Sequence, residues 1–357
     1  MTSAGEHTYA EITSQPQCWA KTYELMTKLQ GEARAFWQSR PWSQVVCTGC
    51  GSPYYLSLAA AALFQQLTGQ PARAIPASEL WLHPQSSYPA QGDVLLVAVS
   101  RSGETTEILN ATRAFRDSRR GQVVTIICEE NTSLASMGDL NIGLPWAREK
   151  SVAQTRSFAS MYLAAAAFAA ICAGRDDRAS EKRLQAMKRL PDLGQRIISQ
   201  YGPLARDLGS SQQLERFYFL GSGWRYGLAC ELSLKMKEMS LTQAEPFHFL
   251  EFRHGPKSMV NEQTLIVGLL AEADAAQEGA VIQEMRQLGA KALVLAERES
   301  LAQADYMIPF SSGLPEEVRG VLYLPVVQLL AYERSLSKGL NPDSPTHLDA
   351  VVRLGHV

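Results

Sequence analysis

Short continuous apolar runs alternate along this chain with longer stretches in which apolar residues recur every three to four positions. The runs at residues 45–47, 94–99, 123–127, 217–220, 265–270 and 292–295 leave no polar face, which predicts buried parallel strands. A shorter strand is expected near residues 141–144. Helical periodicity fills the intervals, at 17–40, 52–67, 106–119, 157–173 and 226–239. Strand followed by helix, repeated over the whole length, predicts an α/β protein with parallel sheets. Residues 174–209 are charged and helical in pattern and read as a linker between halves.

The halves repeat one another. In the first, an apolar strand leads into Gly49-Cys50-Gly51-Ser52 and a helix; in the second, one leads into Gly221-Ser222-Gly223 and a helix. Aligning these glycine turns pairs the strand at 265–270 with that at 94–99. It sets Ala271, Ala273 and Ala276 roughly opposite Ser100, Ser102 and Thr105. The duplicate has lost its hydroxyls, so only the first half is expected to hold an anion.

The stretch Ser100-Arg101-Ser102-Gly103-Glu104-Thr105 joins a strand to a helix. Unpaired amides and the helix dipole favour negative charge there, and three hydroxyls exceed what an ordinary helix cap uses. No lysine of a nucleotide-binding loop follows, so a sugar phosphate is expected rather than a nucleotide. A dinucleotide site at Gly221-Ser222-Gly223 is the rival reading, but its next glycine, Gly227, comes one residue late.

In the second half Glu231, Lys235 and Glu238 are spaced i, i+4, i+7 and share one helix face. A solvated face with a surface ion pair would show the same spacing. Here the rest of the helix is apolar, through Leu234, Met236 and Met239. Glu245, His248, Glu251 and His254 follow before Gly255-Pro256, and histidine and carboxylate together offer general acid–base chemistry. No metal-binding spacing is present, and no metal is expected. Cys47 and Cys50 form a CxxC, read either as a redox pair or as a buried strand end followed by a turn.

Bulk properties narrow the class. A chain of 357 residues can hold two ordinary domains, and its net charge of −2 makes no electrostatic case for nucleic acid. No apolar run reaches membrane-spanning length, and the polar N-terminus has no signal-peptide core. Six scattered cysteines do not form a disulfide framework, so a cytoplasmic location is expected.

Together these segments resemble the tandem sugar isomerase (SIS) domain family. Its members include the isomerase half of glucosamine-6-phosphate synthase, glucosamine-6-phosphate deaminase-like proteins and fructosamine-phosphate deglycases. The motifs are Gly49-Cys50-Gly51-Ser52, Ala77-Ser78-Glu79, residues 100–105, Val152-Ala153-Gln154-Thr155, Lys235-Met236-Lys237-Glu238 and Arg253-His254-Gly255-Pro256-Lys257-Ser258. The resemblance implies two tandem three-layer α/β/α domains, bounded as follows. Residues 1–40 would be an N-terminal helical segment, 41–175 the phosphate-binding domain and 176–210 a helical linker. Residues 211–340 would be the catalytic domain, and 341–357 a tail over the site. It also implies roles. Ser100, Arg101, Ser102 and Thr105 would bind the phosphate, and Cys50, Gly51, Ser52 and Val152 would line the sugar. Glu238 would move a proton between C1 and C2, Lys235 would orient the open-chain sugar, and His254 would open the ring from the partner subunit of a homodimer. His347 is a possible tail contact. No cofactor is implied.

The chain departs from the family pattern at Pro53, where a serine is common. The synthase has glutamine in place of Arg101 and a lysine in place of Ala350. Thr2 follows Met1, so no glutaminase domain is expected, nor any self-sufficient use of glutamine. The expected activity is deamination with isomerisation of an amino-sugar 6-phosphate. Aldose–ketose isomerisation, deglycation and non-enzymatic sugar-phosphate sensing are the alternatives.

Overall fold

The computed structural model describes residues 4–88, 92–173 and 177–354. The first three residues of the expected N-terminal segment, residues 174–176 at the expected linker and the last three of the expected tail lie outside the described residues. The chain separates into two compact units. The first comprises the described residues of Gln17–Glu149, Arg156–Lys188 and Asp349–Val357; the second those of Met1–Pro16, Lys150–Thr155 and Arg189–Leu348.

Helix α1 (Glu6–Thr13) belongs to the second unit, and α2 (Gln15–Gln38) almost wholly to the first. The first unit continues through β1 (Trp42–Gly49), α3 (Ser52–Thr68), β2 (Ala72–Pro76), α4 (Ala77–Leu82), α5 (Pro84–Ser87) and β3 (Asp93–Ser100). Then come α6 (Thr106–Asp117), β4 (Gly121–Ile127), β5 (Leu140–Gly143), α7 (Arg156–Cys172) and α8 (Asp177–Met187). Its strands are all parallel, in the order β2-β1-β3-β4-β5. On one face Val46, Leu96, Ala98 and Val123 pack under Leu80 of α4 and Ile108, Ala111 and Phe115 of α6. Helices α3 and α7 pair on the other. Helix α7 is buried from Ser157 to Cys172, which explains its unbroken apolar sequence. Among the described residues no helix is long and apolar enough to cross a membrane.

The second unit contains α9 (Leu190–Ser210), β6 (Arg216–Gly221), α10 (Arg225–Ser240), β7 (Gln243–Phe247), β8 (Thr264–Leu269) and α11 (Ala275–Gln287). It ends with β9 (Lys291–Ala296), β10 (Tyr306–Pro309) and α12 (Pro325–Ser337). Its parallel sheet has the order β10-β9-β8-β6-β7. Tyr218, Leu220, Ile266 and Val294 lie under Val281, Ile282 and Met285 of α11. Helices α10 and α12 pack together, with α9 along α12. Two tandem three-layer α/β/α arrangements are therefore present, as the alternation of strand and helix predicts. The segment read as a linker consists of helices packed into the units: α8 on α7 and α9 on α12.

In each sheet the winding reverses once. After β1 the chain goes to β2 on one side, and β3 forms on the other; after β6 it goes to β7, and β8 forms opposite. The loops leaving the two central strands diverge to opposite faces there and leave a gap at the strand ends, the usual place for a ligand in such sheets. Residues 50–52 and 100–105 follow β1 and β3 and so share the gap of the first unit.

Three edge strands, β2, β7 and β10, escape the apolar-run criterion. They are short and each contains proline, which an edge tolerates because it leaves one backbone side unpaired. The repeated glycine turn has a packing cause. A Cβ on Gly49 would stand 2.5 Å from the Pro53 ring, and one on Gly221 would stand 2.6 Å from the Arg225 carbonyl oxygen. In both cases the contact is with the residue four positions on, where the helix begins against the strand end. Gly221→Ala is therefore expected to lower stability by roughly 1–3 kcal/mol, as overpacking does. The check is a fall in the denaturant midpoint relative to the unaltered chain.

Candidate functional site

In the first unit the loop after β3 is built from its own hydroxyls. Ser100 Oγ accepts the Gly103 N–H (3.0 Å), and Ser102 Oγ accepts the Glu104 N–H (3.2 Å). A hydroxyl oxygen that accepts from the backbone still has its proton to donate outward. Thr105 precedes α6 as its N-cap, yet its side chain makes no capping bond, so the first amides of that helix are left to other acceptors. Glu104 ties the loop to the turn after β4 by accepting from Ser133 N–H (2.6 Å) and Oγ (2.9 Å). From the β1 side, Cys50 packs against the core cluster that includes Ile108 of α6, which brings the turn at 50–52 up to the start of that helix. Ser52 is buried at the start of α3.

Arg101 reaches two groups of the chain itself. Its Nη1 faces Glu149, which is fully buried, at 3.6 Å, and its Nη2 donates to the carbonyl of Ala350 (2.9 Å). The same stretch of tail accepts the Thr106 N–H at the Val352 carbonyl (3.4 Å), and Leu354 N–H donates to Thr106 Oγ1 (3.1 Å). Residues 350–354 thus lie along the hydroxyl loop through main-chain groups. His347 lies earlier in the tail, in the second unit, exposed and with a left-handed φ of 61°.

In the second unit α10 carries the charged group. Lys235 is 1% exposed, with Nζ 3.4 Å from Glu231 and 2.5 Å from Glu238. Glu231 is fully buried, whereas the Glu238 side chain is 20% exposed. The spacing read from the sequence therefore marks a buried ion triplet with one carboxylate reaching the surface. His254 sits exposed on the turn after β7, and its side chain makes no hydrogen bond among the described residues. Glu284 holds that turn through Arg253 (2.6 Å) and Lys257 (2.8 Å), which keep its carboxyl below the ordinary range. His248 stacks on Tyr226 at 3.9 Å, and burial lowers its pKa, favouring the neutral ring.

Val152 belongs to a short loop, 150–155, that the second unit holds from two distant parts of the chain. Glu11 of α1, 3% exposed, accepts the Lys150 N–H (2.6 Å) and bonds to the Ser151 hydroxyl. Val152 N–H donates to the Asp343 carbonyl (3.1 Å), while the Asp343 carboxylate accepts from Thr8 N–H (2.7 Å) and Oγ1 (2.8 Å). Sequence reasoning missed Glu11, Glu149 and Asp343. Glu11 and Asp343 lie more than a hundred residues from what they hold here, Glu149 lies well beyond a helical turn from Arg101, and no local period marks them.

A family model described as the SIS domain matches residues 40–171 and 212–331. The glutamine–fructose-6-phosphate aminotransferase [isomerizing] of Sulfolobus acidocaldarius is 30% identical over 315 residues, 87% of this chain and 50% of that protein. The enzyme of the same name from Gluconobacter oxydans is 28% identical over 314 residues, 85% and 51% of the two chains. The chain spans about half the length of these curated relatives. Among solved structures, glucosamine-6-phosphate deaminase from Thermotoga maritima is similar, with 27% identity, a TM-score of 0.69, and 94% and 100% of the two chains covered. Tagatose-6-phosphate ketose/aldose isomerase from Escherichia coli shares the fold, at a TM-score of 0.84, 23% identity and 97% of each chain.

Among the described residues no group of three or more His, Cys, Asp or Glu could hold a metal ion, and all six cysteines are free thiols. Burial pushes Cys47 and Cys50 up to about 12, with Glu107 adding to the rise at Cys50. At pH 8 a thiol at that value is thiolate in roughly one molecule in ten thousand, and the thiolate is the nucleophile. The CxxC is therefore the strand end and turn rather than a redox pair. Iodoacetamide at pH 8 is expected to leave both thiols unmodified in the native protein and to label them after denaturation, as read by peptide mass spectrometry.

Proposed function

The chain belongs to the SIS domain family, and on that footing we propose that it processes a phosphorylated amino sugar, taking glucosamine 6-phosphate or a close relative to a ketose phosphate and ammonia. The observation that carries this reading is Lys235 between Glu231 and Glu238 on one helix face, with Glu238 reaching the surface. The likeness to the Thermotoga maritima deaminase supports the amino-sugar substrate, and the aminotransferase relatives, named for fructose 6-phosphate, support the ketose product.

In this reading the hydroxyls of Ser100, Ser102 and Thr105, with the Arg101 cation beside them, take the phosphate. Residues 50–52 and Val152 line the sugar. His254, from the partner subunit of a homodimer, passes a proton to the ring oxygen and opens it. The Glu238 carboxylate takes the proton from C2 of the open-chain aldose. The electron pair forms the C1–C2 double bond, and the carbonyl oxygen, oriented by Lys235, gains a proton. The nitrogen lone pair then forms the C2=N bond while the C1=C2 electron pair takes a proton at C1, giving a C2 iminium; water adds to C2 and ammonia leaves, forming the ketone. Remote binding energy from the phosphate fixes the reacting end, and the substrate's own carbonyl serves as electron sink, so no cofactor is called for. Arg101 acts on the tail through Ala350, and the setting is cytoplasmic.

Glu238→Gln keeps the shape of the base and removes its function. Turnover of glucosamine 6-phosphate is expected to fall by about 100-fold or more, with loss of exchange of the C2 hydrogen in deuterated water. Exchange at the native rate would move the base elsewhere, with Glu231 first in line. Exchange without ammonia release would make the protein an aldose–ketose isomerase. Consumption of no sugar phosphate by the unaltered chain would favour a sensor.

Ser102→Ala or Thr105→Ala is expected to weaken hexose 6-phosphate binding about tenfold, the value of a hydrogen bond to a charged group, measured by calorimetry. Mixing inactive Glu238→Gln and His254→Asn chains under subunit exchange should restore activity. No recovery, with exchange verified by native mass spectrometry, would put both residues to work within one subunit.

A further inference from the structure

The second unit has its own strand-end gap, between β6 and β8, where the first has one between β1 and β3. Alanines stand there in place of the loop hydroxyls, yet anion donors are present. The Ala271 N–H donates to Glu278 Oε2 (2.7 Å), and the next amide, that of Glu272, donates to Glu316 Oε1 (2.7 Å). Glu278 lies in the first turn of α11 and is 2% exposed, and its other oxygen, Oε1, is buried without a hydrogen-bond partner among the described residues. Arg225, 4% exposed, pairs with Glu316 and donates Nε to the Tyr323 hydroxyl (3.2 Å). Two consecutive loop amides and a buried guanidinium, shared between Glu278 and Glu316, are donors of the kind that oxyanions take at the start of a helix.

We propose that the gap between β6 and β8 is an anion site occupied by the chain itself, with the Glu278 carboxylate as the resident ligand. Vacated, it would take a small oxyanion: a carboxylate or a phosphate. The fold then presents two strand-end anion sites and keeps the second closed by a side chain of its own, which limits each chain to one phosphorylated ligand. Burial pushes the Glu278 carboxyl up to about 7, while the Ala271 amide, Ser222 and Arg225 pull it back and Asp274 adds to the rise. A carboxylate kept at such cost to its charged form is retained for what it occupies.

The test needs no sugar substrate, so its failure is separate from failure of the phosphate reading at β1–β3. Glu278→Ala is unfolded thermally at pH 8 in sodium formate and in sodium chloride of equal ionic strength, with the unaltered chain and Glu278→Gln alongside. In chloride the alanine variant is expected to melt several degrees below the unaltered chain. Formate at about 100 mM should return half or more of that loss, through binding to the folded state alone. The other two proteins, whose side chains fill the space, should respond equally to both salts. Equal responses of Glu278→Ala and the unaltered chain overturn the proposal. If Glu278→Ala does not fold in chloride, its recovery from denaturant is compared in the two salts. Recovery in formate alone supports the proposal, and equal recovery, or none in either, overturns it.

Discussion

A parallel sheet wound in both directions has one place where the chains leaving neighbouring strands part to opposite faces. Loop amides and helix starts converge there without backbone partners, and unmet donors in a sheltered position are costly. This chain meets that demand twice and in different ways. Between β1 and β3 the loop uses serine oxygens to accept its own amides, and a hydroxyl used in that way keeps its proton to donate. Between β6 and β8 the acceptors are carboxylates, Glu278 and Glu316, with Arg225 balancing the charge. One duplicated backbone thus carries an open polar loop and a closed one.

The α10 triplet obeys a related constraint. A lysine with 1% of its side chain exposed is tolerable only with a counter-charge in contact, because the desolvation cost of an unpaired ion exceeds several kcal/mol, roughly. Glu231 and Glu238 share that task from either side. Met236 and Met239 close the helix off from water around them. The arrangement keeps a cation at a fixed point beside a carboxylate that solvent and solutes can reach.

Much of this was legible in the chain. Buried parallel strands announce themselves as unbroken apolar runs, so β1, β3, β4, β6, β8 and β9 were visible. The Ser100 loop and the charges of α10 were visible because each lies within two helical turns or one strand–helix junction. The edge strands were not, since Pro76, Pro246 and Pro309 interrupt runs too short to show a period. Nor were Glu11, Glu149 and Asp343. Glu11 meets residues 150–151 and Asp343 meets Thr8 only because the fold brings them together, and a carboxylate in a polar stretch looks like surface. Arg101 was visible as a cation, but its partners were hidden for the same reason.

The tail meets the hydroxyl loop through the carbonyls of Ala350 and Val352 and the amide of Leu354. Every residue type carries those carbonyls, and every type except proline carries the amide. Side chains along residues 350–354 are therefore free to drift among relatives without loosening the grip, provided Arg101 is kept. Identity scores would record such a segment as unconstrained. Insertions, deletions and a proline at position 354 are the changes that would reveal what selection is holding.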